Sequence, residues 1–202
     1  MPARRTTLLL AVAMAALLAL GACAADPGTE LPASGNGTLA VGDAAPDFTL
    51  PVANAEGDVS LSQYRGESPV VLVFYRSFFC TFCVRQVNEF NSNYEKFRER
   101  GVEVVAVSSD DLTSVTRRLI RDDPNNYQFP ILYTSVDPAV PSSYGRIGNV
   151  RDGGYLGGAE LADPAVFLID GDGDIRWAEL GNSISHFVSS ERVLEQIDGL
   201  GL

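Results

Sequence analysis

Two cysteines separated by two residues, Cys80-Thr81-Phe82-Cys83, are the part of this chain best suited to chemistry. Thiolates attack disulfides and peroxides, and a second thiol within reach closes an intrachain disulfide. Cys83 heads an apolar stripe, continued by Val87, Phe90, Tyr94 and Phe97 at steps of four and three. That spacing predicts a helix with Cys83 on its buried face and Cys80 in the first turn, at the exposed end. A helix N-terminus presents unpaired N–H groups and the positive end of the backbone dipole, both of which favour a thiolate. The expected roles are therefore Cys80 as attacking thiol and Cys83 as resolving thiol. A purely structural staple fits less well, because a disulfide closing so small a loop removes little entropy from the unfolded chain. A zinc site is not expected: it needs four ligands, and the chain has three cysteines and the single histidine His186. Asp170-Gly171-Asp172-Gly173-Asp174 begins like a calcium loop, but Gly181 stands where the twelfth-position Glu belongs, so a hairpin turn is expected. The glycine-rich stretch 145–158 leads into loop and strand rather than a helix N-terminus, which argues against a phosphate cradle. No organic cofactor is implied.

The elements that position the pair are legible around it. Val70-Val71-Leu72-Val73-Phe74-Tyr75 is an unbroken apolar run, as in a strand buried on both faces, and Pro69 suits its start. The helix beginning near Cys80 is expected to end at Gly101, and Val102 to Val107 is β-branched again, giving a parallel βαβ unit. Asp110-Asp111 is expected to cap a second helix. A short strand follows at 129–133, then a long connection rich in Pro and Gly, with Arg146, Arg151 and Tyr155 near the active face. Strands at 165–170 and 175–180, joined by the Gly-Asp-Gly turn, precede a last helix opened by Ser189 or Ser190, with Val193, Leu194 and Ile197 inward. The expected class is α/β, a mixed central sheet flanked by helices in one domain.

The N-terminus reads as a targeting segment. Arg4 and Arg5 precede an uncharged run from Leu8 to Ala22, the order of a secretory signal. Leu20-Gly21-Ala22-Cys23 resembles the lipobox of bacterial lipoproteins, which implies a signal over 1–22 and lipid on Cys23. The alternative is an uncleaved membrane anchor. Residues 23–40 are small, polar and rich in Pro and Gly, and read as a flexible tether to a domain over 41–202. With Cys23 lipidated, Cys80 and Cys83 remain as the disulfide candidates, in an exported setting where disulfides persist. The location implied is the cell envelope, on the extracytoplasmic side. With 26 acidic residues against 15 Lys and Arg, the net charge of −11 argues against nucleic acid as a partner.

Phe74 to Cys83 after a buried strand resembles the redoxin branch of the thioredoxin superfamily. That branch includes the membrane-tethered thioredoxins and the alkyl hydroperoxide reductase/thiol-specific antioxidant group (peroxiredoxins). Val41 to Leu50 is similar to the opening segment of those families, and Leu61-Ser62-Gln63-Tyr64-Arg65-Gly66 to the turn before their first core strand. Asp163-Pro164 before Ala165-Val166-Phe167-Leu168-Ile169-Asp170 looks like their cis-proline loop. The resemblance implies a thioredoxin-like fold, with Pro164, Asp163, Phe82 and Thr81 contacting the substrate. Laid on the peroxiredoxin segment, Cys83 takes the peroxidatic place and Cys80 replaces a hydroxyl residue; alternatively Cys80 is peroxidatic and Ser77 supplies the hydroxyl. The family's shielding proline is absent, with Arg76 and Ser77 in its neighbourhood. Its arginine before the Phe-Leu-Ile-Asp strand is replaced by Pro164. Arg76 and Arg85 flank the pair as candidate activating residues. On this basis the expected main activity is thiol–disulfide exchange on exported protein or carrier disulfides, by a monomer served by an external thiol donor. The alternatives are peroxiredoxin-like reduction of hydroperoxides and a redoxin-fold binding lipoprotein without catalysis. An intact Cys pair argues against the last.

Overall fold

The computed structural model describes residues 29–30, 39–78, 80–109, 120, 126–134, 139–145, 147–148, 161–181 and 187–202. Cys23, Phe79, the Asp110-Asp111 cap, Arg146, Arg151, Tyr155 and His186 lie outside them. So does the signal segment 1–22.

Strand β4 (Val70–Tyr75) is buried at all six positions, as its unbroken apolar run requires, and it forms the spine of the sheet. It pairs in parallel with β5 (Glu103–Ser108), which pairs in parallel with β6 (Ile131–Tyr133). On its other side it pairs antiparallel with β9 (Ala165–Ile169), which continues to β10 (Ile175–Leu180). The edge is β1 (Thr29–Glu30), antiparallel to Leu180 and Glu179. The order is β1-β10-β9-β4-β5-β6, the mixed sheet expected of a thioredoxin-like fold. β1 is a departure from the sequence reading: two residues within the expected tether add a strand to the domain. Between β9 and β10 the expected hairpin turn is present, with Gly173 at φ 92°, where a β-carbon would also lie 2.5 Å from Arg65.

Because side chains alternate along a strand, β4 feeds two cores. Val71, Val73 and Tyr75 pack with Cys83, Val87, Phe90 and Phe97, and with Val193, Leu194 and Ile197. Val70, Leu72 and Phe74 face Phe48, Leu50, Tyr144 and Phe167. The first core is covered by α1 (Thr81–Ser92), α2 (Tyr94–Arg98) and α4 (Ser190–Leu200). The second is covered by the hairpin β2 (Thr49–Pro51) and β3 (Asp58–Ser60), the 3-10 turn Leu61–Tyr64 and α3 (Ala139–Ser143). Trp177 of β10, the chain's single tryptophan, joins the core that holds Cys83, with the Arg192 guanidinium 5.8 Å from its ring. A fully buried Phe such as Phe90 or Phe97 contributes about 1.5–3 kcal/mol by leaving water.

Two further departures have local causes. The helix expected to run unbroken to Gly101 breaks at Asn93 (φ −105°, ψ 8°), whose amide nitrogen donates to Ser190 Oγ at 2.9 Å and to the Glu89 carbonyl at 3.3 Å. That side chain competes with the helical backbone and ties it to α4. The long connection after β6 holds α3 and a two-strand pairing of β7 (Ile147–Gly148) with β8 (Leu161–Ala162).

Candidate active site

The site grows from the end of β4. After Tyr75 the chain passes through Arg76 and Ser77 and turns, the Cys80 N–H donating to the Ser77 carbonyl at 3.1 Å. Cys80 is the N-cap of α1, in extended conformation, and its carbonyl accepts the Val84 N–H at 2.9 Å. Its Sγ accepts the Cys83 N–H at 3.4 Å, taking the place of the usual capping oxygen. Negative charge on this sulfur is therefore met by a backbone donor and by the helix dipole. Cys83, one turn in, is 3% exposed in the apolar core, where a charge is costly, while Cys80 is half-buried. The two are joined as a disulfide, with Cα atoms 5.2 Å apart. The geometry gives a partly exposed cysteine at a helix start and a shielded one within bonding reach.

Of the other expected residues, the structure brings some to the pair and not others. Thr81 and Phe82 are exposed on the first turn of α1. Ser77 is buried and takes part through its carbonyl. Pairing of Phe74 with Ala165 sets Arg76 across from Asp163, and the guanidinium lies 4.0 Å from that carboxylate. The Arg76 Nε is buried with no hydrogen-bond acceptor among the described residues. Pro164 is buried, and its carbonyl accepts the Gly181 N–H at 2.7 Å, fastening the ends of β9 and β10. The expectation of a cis-proline is corrected: the Asp163–Pro164 bond is trans, as are all described peptide bonds. Trans is the default for X–Pro bonds, and the Pro164 carbonyl is held here by the β10 end. Arg85 stacks on aromatic rings, 5.8 Å from the Phe82 centroid and 5.2 Å from that of Phe187.

Sequence reasoning missed Gln86 and Phe187. Gln86 is buried beside the stripe and its Nε2 donates to the Val188 carbonyl at 3.1 Å. A polar residue three places after Cys83 was the available signal. Phe187 gives none, because its role depends on α4 folding back onto α1. Among the described residues no cluster of metal-ligating side chains occurs, and no helix is long and apolar enough to cross a membrane.

The sheet, the strand-to-helix turn and the cysteine at its helix start define a redoxin of the thioredoxin superfamily. The AhpC/TSA family profile matches residues 41–178, and the chain belongs to that family. A peroxiredoxin of Thermoplasma volcanium is 30% identical over 166 residues, covering 78% of this chain and 75% of that one. A chloroplastic peroxiredoxin Q of Oryza sativa subsp. japonica is 41% identical over 78 residues, 39% of this chain and 35% of that one. Among solved structures, a reduced 2-Cys peroxiredoxin of Plasmodium vivax aligns with TM-score 0.67 at 24% identity, covering 80% and 81% of the two chains. The peroxidoxin BcpB of Mycobacterium tuberculosis aligns at 0.63 and 22%, covering 79% and 97%. At those identities the structural likeness speaks for the fold. Family membership implies an oxidoreductase.

Proposed function

We propose that the chain is a thiol peroxidase that reduces hydroperoxides through Cys80 and Cys83. The observation that carries this reading is the partly buried Cys80 whose sulfur caps α1, with Cys83 shielded one turn inside, on a member of the AhpC/TSA family. The Cys80 thiolate attacks the terminal peroxide oxygen; the O–O bond breaks, the alcohol leaves with a proton, and Cys80 becomes a sulfenic acid. The Cys83 thiol displaces water from it, forming the Cys80–Cys83 disulfide. Two equivalents of an external thiol then restore the dithiol by exchange. Arg76, at the turn that delivers Cys80, supplies positive charge, and Asp163 and Pro164 border the same strand ends.

Disulfide exchange is the second reading, favoured by the short Cys-X-X-Cys spacing and the 5.2 Å between the Cα atoms. Reduced full chain in a mild neutral detergent, mixed in single-turnover assays with hydrogen peroxide or with a small protein disulfide, separates the two. Peroxide reduction is expected to be faster by about tenfold or more, a barrier difference of roughly 1.4 kcal/mol. In Cys83→Ser a sulfenic acid on Cys80 should be trapped by dimedone. A slow peroxide reaction, with a mixed disulfide accumulating in Cys83→Ser, would instead make disulfide exchange the main activity.

A further inference from the structure

We infer that Tyr127 is a positioning residue for the redox pair, bridging the turn before Cys80 and the middle of α1 and so holding the Cys83 N–H on the Cys80 sulfur once the disulfide is open. The inference rests on Cys80 as the attacking thiol. The Tyr127 ring meets Phe78 edge to face, with centroids 5.9 Å apart and planes at 87°. Its hydroxyl donates to Asn88 Oδ1 of α1 at 2.5 Å. Phe78 precedes Cys80 by two residues and Asn88 follows Cys83 by five. One side chain thus touches the polypeptide on both sides of the pair.

Tyr127 can act as a brace because it is itself held. It is buried in the core that contains Cys83, and Asn54 Nδ2, from the connection between β2 and β3, donates to its carbonyl at 3.3 Å and to that of Phe129 at 3.0 Å. Asn54 Oδ1 accepts the Ile131 N–H at 3.0 Å, so the same side chain ties this segment to β6. The next residue grips α1 again: the Gln128 N–H donates to Asn91 Oδ1 at 2.9 Å, and Gln128 Nε2 to the Asn91 carbonyl at 3.3 Å. Core packing accounts for the Tyr127 ring but not for its hydroxyl, since phenylalanine would fill the same space.

Such a brace matters most in the dithiol. The disulfide ties Cys80 to Cys83 covalently, and reduction leaves the first turn of α1 to weaker forces. Helix ends fray, because their first N–H groups lack acceptors within the helix. The bond from the Cys83 N–H to the Cys80 sulfur is 3.4 Å long, and hydrogen bonds weaken steeply with misalignment. A bridge from the turn to the middle of the helix opposes that fraying, keeps the donor aimed and so favours the Cys80 thiolate.

The test is the pH dependence of iodoacetamide alkylation at Cys80, read by peptide mass on the reduced full chain in neutral detergent. Cys83→Ser is the common background, because it leaves one thiol in that peptide and keeps the N–H of residue 83. Adding Tyr127→Phe should raise the pH of half-maximal reactivity by about half a unit, roughly threefold less thiolate at pH values below the transition. Asn88→Ala should give the same shift, and the two together no more than either alone, as one shared contact requires. Urea unfolding of each variant separates positioning from stability. A lowered urea midpoint with an unshifted pH profile in Tyr127→Phe would overturn the inference and leave the tyrosine as core packing. Additive shifts in the double variant would overturn it as well, since the two groups would then act separately. No step of this assay uses a peroxide. A chain that fails to reduce hydrogen peroxide would therefore sink the peroxidase reading without deciding the role of Tyr127, which the alkylation profile decides by itself.

Discussion

At the scale of single residues, the proposed function depends on an asymmetry between two identical side chains. Cys80 caps the helix and is partly buried at the margin of the core; Cys83 is packed among Val87, Phe90 and the β4 side chains. The stripe of apolar residues made this division legible in the sequence, since one cysteine continues it and the other does not. Arg76 was legible only as a neighbour. Its position across from Asp163 depends on the antiparallel register of β4 and β9, which residues so far apart in the chain cannot announce. With Nε buried and lacking an acceptor among the described residues, this guanidinium is poised to favour negative charge beside the turn. Replacing Arg76 by Met should raise the pH at which the reduced protein reaches half-maximal reactivity toward iodoacetamide, by about one unit. An unchanged profile, with the fold retained by circular dichroism, would remove Arg76 from the site and leave the helix terminus as the source of activation.

At the scale of elements, the junction of α1 and α4 links the reactive helix to the end of the chain. Ser189 caps α4, and Glu89 of α1 accepts the Ser190 N–H at 2.9 Å and its Oγ–H at 2.7 Å. Burial and the facing Glu191 carboxyl push Glu89 up, against the pull of the Ser190 hydrogen bonds, while the hydrogen bond with Glu89 holds Glu191 down. The folded chain thus keeps a proton on Glu89 at pH values where the unfolded chain has released it. Stability from this contact is complete below the ordinary glutamate range and is lost as pH rises through the raised folded value. Glu89→Gln retains an acceptor for Ser190 and a donor for Glu191, so it should flatten that decline in urea titrations, an effect below about 1 kcal/mol given partial exposure. An identical decline in the variant would place its origin elsewhere. Regular elements at this scale were readable where pattern was strong: β4 and β10 at their full lengths, and α4 from its cap. The hairpin of β2 and β3 was not, because three-residue strands that include Pro51 carry no usable alternation. The break at Asn93 was hidden for another reason: it is enforced by Ser190, almost a hundred residues later.

At the scale of the whole molecule, the acidic domain and the N-terminal sequence pose a question of place. We propose that Cys23 carries lipid and holds the domain at the extracytoplasmic face of a membrane, following the resemblance of Leu20 to Cys23 to a lipobox. Cys23→Ser should move the protein from the membrane fraction to the soluble fraction and abolish labelling by a fatty-acid precursor. Retention of the variant in the membrane would favour an uncleaved apolar anchor over 8–22. Pairing of Thr29–Glu30 with β10 shortens the free chain between such an anchor and the sheet, so the domain would stand closer to the membrane than composition alone suggests.

The placement of Trp177 has a practical consequence. The chain has one indole, and it shares a continuous packed body with Cys83 and the sheet beneath α1. Close packing transmits small displacements, so opening and closing of the dithiol should alter the surroundings of a single native fluorophore. Excited beyond the tyrosine absorption band, Trp177 should therefore serve as an unlabelled optical gauge of redox state, its emission traceable to one residue.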